Sequence, residues 1–156
     1  MRVGIGYDVH KLVAGNSLTL GGIKISASHR LLGHSDADVL IHAIMDALLG
    51  AAALKDIGYQ FPAEDNKYQN ISSMILLKDV QKMITAKGFK IGNIDAMVLA
   101  EQPKLAPYID EMRNLISQTL EINQSQIMIK ATTMEGLGFI GENQGIAAHA
   151  IALLTE

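Results

Sequence analysis

The sequence predicts a two-layer α+β (α/β) fold in which a mixed β-sheet carries helices packed on one face. Three observations support this prediction. The first residues alternate with period 2, two long segments place apolar residues at helical spacing, and strand-like and helix-like runs interleave without a repeat, a linker or a low-complexity stretch.

The elements follow in order. In "RVGIGYDVH" the alternation sets Val3, Ile5, Tyr7 and Val9 on one face and Gly4, Gly6, Asp8 and His10 on the other, as in a half-buried strand. "SLTLGGIKIS" predicts a hairpin turning at Gly21-Gly22, where glycine tolerates the positive φ of a tight turn. A long helix is expected from Ser35, with Asp38 three places on in a capping-box pattern, to about Ala53. "DIGYQFPAEDNKYQN" reads as loop, broken by Gly58 and Pro62. A second helix spans roughly Ser72 to Lys87, with Leu76, Val80, Met83 and Ile84 on one face and Gly88 as its stop. "NIDAMVLA" is a strand, Pro107 opens a third helix through about Leu120, and "QIMIKA" is another strand. "TTMEGLGFIGENQG" is a glycine-rich loop, after which "IAAHAIALL" forms a last strand.

A chain of 156 residues, 49% hydrophobic, fits one domain over 1–156 that buries roughly 70% of its unfolded surface. The net charge of -3, with 13 Lys+Arg and no basic run, predicts neither a nucleic-acid partner nor binding to an anionic membrane. The longest apolar stretch is interrupted by His42 and Asp46, so neither a membrane span nor a signal peptide is expected. Cysteine is absent, which excludes disulfides and thiolate ligands, suits a cytoplasmic setting, and leaves any metal to His and carboxylates.

Two constellations could carry chemistry. Asp8 and His10 lie about 7 Å apart at Cα on one strand face, close enough to converge on one ion. On the long helix, Asp38, His42 and Asp46 follow at i, i+4 and i+8, and His42 sits among apolar neighbours. An imidazole there needs a partner. Two readings stay open: a metal held by Asp8, His10 and His42, or a hydrogen-bonded core His42 with Asp8 and His10 solvated. Two imidazoles and a carboxylate would match a zinc site with an open position, whereas a fourth ligand from His29 or His149 would close it. The second constellation, "KATTMEGLGFIGENQG", offers Lys130, Thr132 and Thr133 to phosphate oxygens and Glu135 to a divalent ion. Its G-x-G-x-x-G follows a loop and opens no clear helix, so a dinucleotide site is rejected.

"GYDVHKL", "LGHSDADVLIHAIMDALLGAAALKDIGYQFP", "AEQPKLAPY" and "IKATTMEGLGFIG", in this order and spacing, resemble the 2-C-methyl-D-erythritol 2,4-cyclodiphosphate synthase family over essentially the whole chain. The resemblance implies a cytoplasmic homotrimer with active sites between neighbours and a small-molecule substrate, 4-diphosphocytidyl-2-C-methyl-D-erythritol 2-phosphate. It implies zinc on Asp8, His10 and His42, and a second divalent cation, magnesium or manganese, held with the help of Glu135. His34 and Thr133 match the residues that stabilise the transition state. Ser35, Asp56, Ile57 and Gly58 match contacts to the methylerythritol phosphate. The segment from Ala100 to Ala106, with Lys104 and Leu105, matches contacts to the cytidine diphosphate together with Thr132 and Thr133. Further substrate contacts are implied at Phe61, Asp65, Ala131 and Phe139, and Asp46 is expected to orient an imidazole from behind.

The chain departs from the family pattern at Ala63, where many members have Asp, at Met134, and at Glu142, where some have Arg. A carboxylate at 142 cannot donate to an anion. Two other functions compete with the cyclising lyase: a zinc phosphohydrolase, in which metal-bound hydroxide attacks phosphorus, and a non-catalytic module braced by zinc.

Overall fold

The computed structural model describes residues Met1–Glu156. Strands β1 (Arg2–Ala14), β4 (His29–Leu32), β5 (Lys90–Leu99), β6 (Ile127–Thr132) and β7 (Gly145–Thr155) form one sheet in the order β4-β1-β7-β5-β6. Only β5 and β6 run parallel; β1 pairs antiparallel with β4 and β7, and β7 antiparallel with β5. The sheet is therefore mixed, as predicted. The expected hairpin is β2 (Ser17–Leu20) and β3 (Ile23–Ser26), with positive φ at both Gly21 and Gly22.

Helix α1 (Val39–Ala51) lies against β1 and β7, and α3 (Ser73–Ala86) and α4 (Ile109–Leu120) complete the helical layer. Between them, 38 buried residues form one continuous apolar cluster that includes Leu40, Ile44 and Leu48 of α1. The α3 prediction agrees to within a residue at each end, with Ser72 as the N-cap accepting from the Met74 N–H. Pro107 sits in a single 3-10 turn, Ala106–Tyr108, that leads into α4.

The structure decides one point that the alternation left open and corrects two expectations. The half-buried reading of β1 holds, but its buried face is the glycine face: Gly4 and Gly6 are buried while Val3 and Ile5 are 67% and 71% exposed. The cause is the close approach of α1, since a Cβ at Gly4 or Gly6 would collide with the carbonyl oxygen of Ala47 or Ala43. Helix α1 starts at Val39 rather than Ser35, because its cap is Asp38. That buried carboxylate accepts from the N–H of Ile41 and, at 2.9 and 2.7 Å, from the N–H groups of Gly21 and Gly22, tying the helix start to the hairpin turn.

Finally, the segment read as loop contains helix α2 (Ile57–Gln60) and a 3-10 turn at Asn66–Tyr68, capped by Asp56 and Asp65. The glycine-rich loop likewise holds one short turn, α5 (Gly138–Gly141), and β4 has no counterpart in the sequence reading.

Candidate metal centre and substrate pockets

Asp8 and His10 leave β1 on the face that meets α1, and His42 projects from the first turns of that helix. Asp8 Oδ2 lies 2.9 Å from His10 Nε2 and 2.9 Å from His42 Nδ1, and the two nitrogens are 3.1 Å apart. The three atoms thus form a nearly equilateral triangle. Its sides are within a few tenths of an ångström of the edge, about 3.3 Å, of a tetrahedron of zinc ligands.

The ring orientations are set from outside the triangle. His10 Nδ1 donates to the Leu32 carbonyl at 2.8 Å, which turns a bare Nε2 toward Asp8. Gly33 makes room for that ring, since a Cβ there would come within 2.9 Å of His10 Cε1. A bare Nε2, a bare Nδ1 and a carboxylate oxygen are all acceptors, and three acceptors at this separation repel unless a cation lies among them. The donor set therefore fits a divalent ion.

Titration gives the same physics with a proton as the cation. Burial pulls the His10 imidazole down, but its bond and charge with Asp8 outweigh that and hold it above its usual value. Burial likewise pushes Asp8 up, and the bonds from His10 and His42 overcome it, leaving the carboxyl well below the usual range. The structure groups no fourth His or carboxylate with these three. His149 stacks on Tyr7 on the opposite sheet face, at 4.7 Å between ring centres, and His29 meets Ser28 Oγ. One side of the triangle is left to water or substrate.

That side opens into a pocket of about 200 Å³. His34, Ser35, Ile57, Gly58 and Phe61 line it beside His10 and His42, and Met45, Ala63, Tyr68 and Leu76 complete the wall. Ser35 Oγ is 3.2 Å from His42 Nε2. A second pocket, about 370 Å³, is lined by every residue from Ala100 to Ala106 together with Ala131, Thr132 and Thr133. Beside it, Thr133 Oγ1 donates to Glu135 Oε1 at 3.1 Å, and Glu101 accepts the Met134 N–H at 2.7 Å.

Other expected site residues stand apart. Asp65 pairs with Lys67, Phe139 is about half exposed, and neither lines these pockets. Asp46 bonds no imidazole; its Oδ1 accepts the Ile57 N–H at 2.8 Å and fixes the start of α2. The sequence reading missed Asp36 and Ser73 behind His42, because a contact across 31 residues between α1 and α3 leaves no spacing signal.

The fold and the open triangle of two imidazoles and one carboxylate define a class: a metal-binding α+β protein with room beside the ion for an oxygen donor. The match of the YgbB family model to residues 1–155 makes it more particular, and the chain belongs to the YgbB family. A relative in Clostridium novyi (strain NT), named 2-C-methyl-D-erythritol 2,4-cyclodiphosphate synthase, is 59% identical over all of this chain and 99% of its own length. Among solved structures, the bifunctional IspDF of Campylobacter jejuni superposes with TM-score 0.94 at 42% identity, covering 98% of this chain and 42% of that one. The chain therefore spans less than half the length of that bifunctional protein. A CDP complex of IspF from Plasmodium falciparum superposes with TM-score 0.86 at 40% identity, covering 98% and 94% of the two chains.

Proposed function

We propose that the protein converts 4-diphosphocytidyl-2-C-methyl-D-erythritol 2-phosphate into 2-C-methyl-D-erythritol 2,4-cyclodiphosphate and CMP, as a single cytoplasmic domain working in a homotrimer. The observation that carries this reading is the Asp8-His10-His42 triangle opening into the pocket of His34, Ser35, Ile57 and Gly58, in a chain that matches a synthase of that name end to end.

The attacking group is an oxygen of the substrate's own 2-phosphate. It forms a bond to the β-phosphorus while the bond from that phosphorus to the α,β-bridging oxygen breaks, and the electron pair leaves with CMP. No water is consumed. Catalysis then reduces to holding two phosphates in line and spreading their charge, which needs no activated serine or cysteine. Zinc, when bound by Asp8, His10 and His42, supplies a Lewis acid for the β-phosphate. His34 would donate to phosphate oxygens from the pocket wall, and Ser35, Ile57 and Gly58 would position the methylerythritol phosphate, with Asp56 at the α2 cap beside them. Thr133 would steady the transferring phosphoryl group, and Glu135 would help hold magnesium or manganese.

The 100–106 segment, with Thr132 and Thr133, would take the cytidine diphosphate. This pocket shares no residue with the metal pocket, which fits an active site assembled from two neighbouring subunits. The subunit contact would use the apolar outer sheet face of Val3, Ile5, Tyr7, Val9 and Ile151, each at least 40% exposed in the single chain.

Phosphorus NMR of the protein with substrate, zinc and magnesium tests the reading against a His42→Ala control. A cyclic diphosphate signal with CMP is expected, lost in the control. An open-chain product carrying oxygen-18 from labelled water would instead establish a hydrolase.

A further inference from the structure

Behind the metal triangle lies a hydrogen-bond chain that none of the chemistry above uses. Ser73, fully buried at the first position of α3, places its Oγ 2.9 Å from His42 Nε2. The same hydroxyl donates to Asp36 Oδ1, and Asp36 Oδ2 accepts the Ser73 backbone N–H at 2.9 Å.

The direction of this chain is fixed at its far end. An ionised carboxylate only accepts, so the Ser73 proton points to Asp36 and the hydroxyl presents a lone pair to His42. The Ser73 lone pair therefore draws the His42 proton to Nε2, against the Asp8 carboxylate 2.9 Å from Nδ1, and with the proton on Nε2 the Nδ1 is left as an acceptor aimed into the space between Asp8 and His10. Ser35 Oγ, at 3.2 Å, is the other oxygen near Nε2 and can accept the same proton.

We propose that Asp36 and Ser73 are positioning residues that hold His42 in the one tautomer able to ligate a metal through Nδ1. This rests on the reading of Asp8, His10 and His42 as a metal site. It gives a carboxylate-hydroxyl pair, one member on the approach to α1 and the other at the start of α3, a function in metal affinity without contact with ion or substrate.

An isosteric change separates this role from simple bracing. In Asp36→Asn the amide oxygen stays on the Ser73 N–H at 2.9 Å, because an amide nitrogen there would face a fixed donor at closer range than the Asp38 N–H, which lies 3.3 Å from Oδ1. The amide NH2 then donates to Ser73 Oγ, the hydroxyl proton turns to His42 Nε2, and the imidazole proton moves to Nδ1, into the metal position. Every heavy atom stays in place. Ser73→Ala instead removes the acceptor and leaves only the more distant Ser35.

The test is nitrogen-15 NMR of the His42 ring in the metal-free full-length protein, at alkaline pH where imidazoles are neutral, with zinc affinity measured by chelator competition. The wild type is expected to show the Nε2-protonated form and Asp36→Asn the Nδ1-protonated form. Ser73→Ala is expected to show both, and it carries the same readouts should Asp36→Asn not fold. Zinc affinity is expected to fall about tenfold or more in each variant. Zinc binding by wild type, with ring state unchanged and affinity within about twofold in the variants, would overturn this proposal alone. No zinc binding by wild type would overturn the metal-site reading and this role with it.

Discussion

His10 and Asp8 are paired so closely that a proton and a metal ion compete for the same space. Metals take the neutral imidazole, and the Asp8 contact holds His10 above its usual value, so a proton occupies Nε2 further into the neutral range than in a free histidine. Asp8 stays ionised throughout and adds nothing to the slope. Zinc affinity should therefore fall as pH drops through the raised His10 value, by up to about tenfold per pH unit below it. Chelator competition at pH about 6 and about 8 measures this, and equal affinities would contradict the coupling. A second residue-scale prediction concerns Asp38, whose buried carboxylate satisfies three backbone N–H groups. Asp38→Ala strands all three and should cost at least about 3 kcal/mol in urea unfolding, far more than an exposed cap.

At the scale of elements, β1 and α1 approach so closely that glycine is required between them. Gly6 faces the Ala43 carbonyl and Gly4 the Ala47 carbonyl, so α1 rests on the sheet through backbone rather than side chains. Gly6→Ala forces the two elements apart and should destabilise by about 3 kcal/mol or more, with metal binding lost alongside because Asp8 and His42 ride on the separated elements. A thermal melt with a zinc titration reads both, and an unchanged melt would show that the helix can shift freely. These contacts also mark what the local pattern could convey. The 3.6-residue spacing of α3 and the Gly21-Gly22 turn were plain in the sequence, since each depends on neighbours within a few residues. The start of α1 was not, because Ser35 and Asp38 are both capping residue types and Asp38, which caps through the nearby Ile41 N–H, is held there by a hairpin turn 16 residues away, and the strand β4 has only four residues, too few for alternation to register.

On the whole-molecule scale, the single chain leaves an apolar sheet face uncovered while its helices cover the other. Val3, Ile5 and Ile151 would then sit in water, which favours contact with further copies. Ile5→Asp places a charge in that contact and should shift the proposed trimer to monomers in sedimentation without unfolding the chain, since residue 5 points away from the core. A trimer that survives the change would place the contact elsewhere.

From the sequence alone came the candidate chemistry: Asp8, His10 and His42 as ligand types, Thr132 and Thr133 as hydroxyls proposed for phosphate oxygens, and their order along the chain, all readable because residue identity and short spacing are local properties. Tertiary structure alone decided which of these meet. It put His42 across from β1, removed His29 and His149 from the ligand set, moved Asp46 to the start of α2, and set Asp36 and Ser73 behind the imidazole in its place. It also chose the buried face of β1, for a period of two distinguishes two faces but cannot say which one a helix will cover. That choice was made by the space a helix backbone needs, which only the glycine face provides.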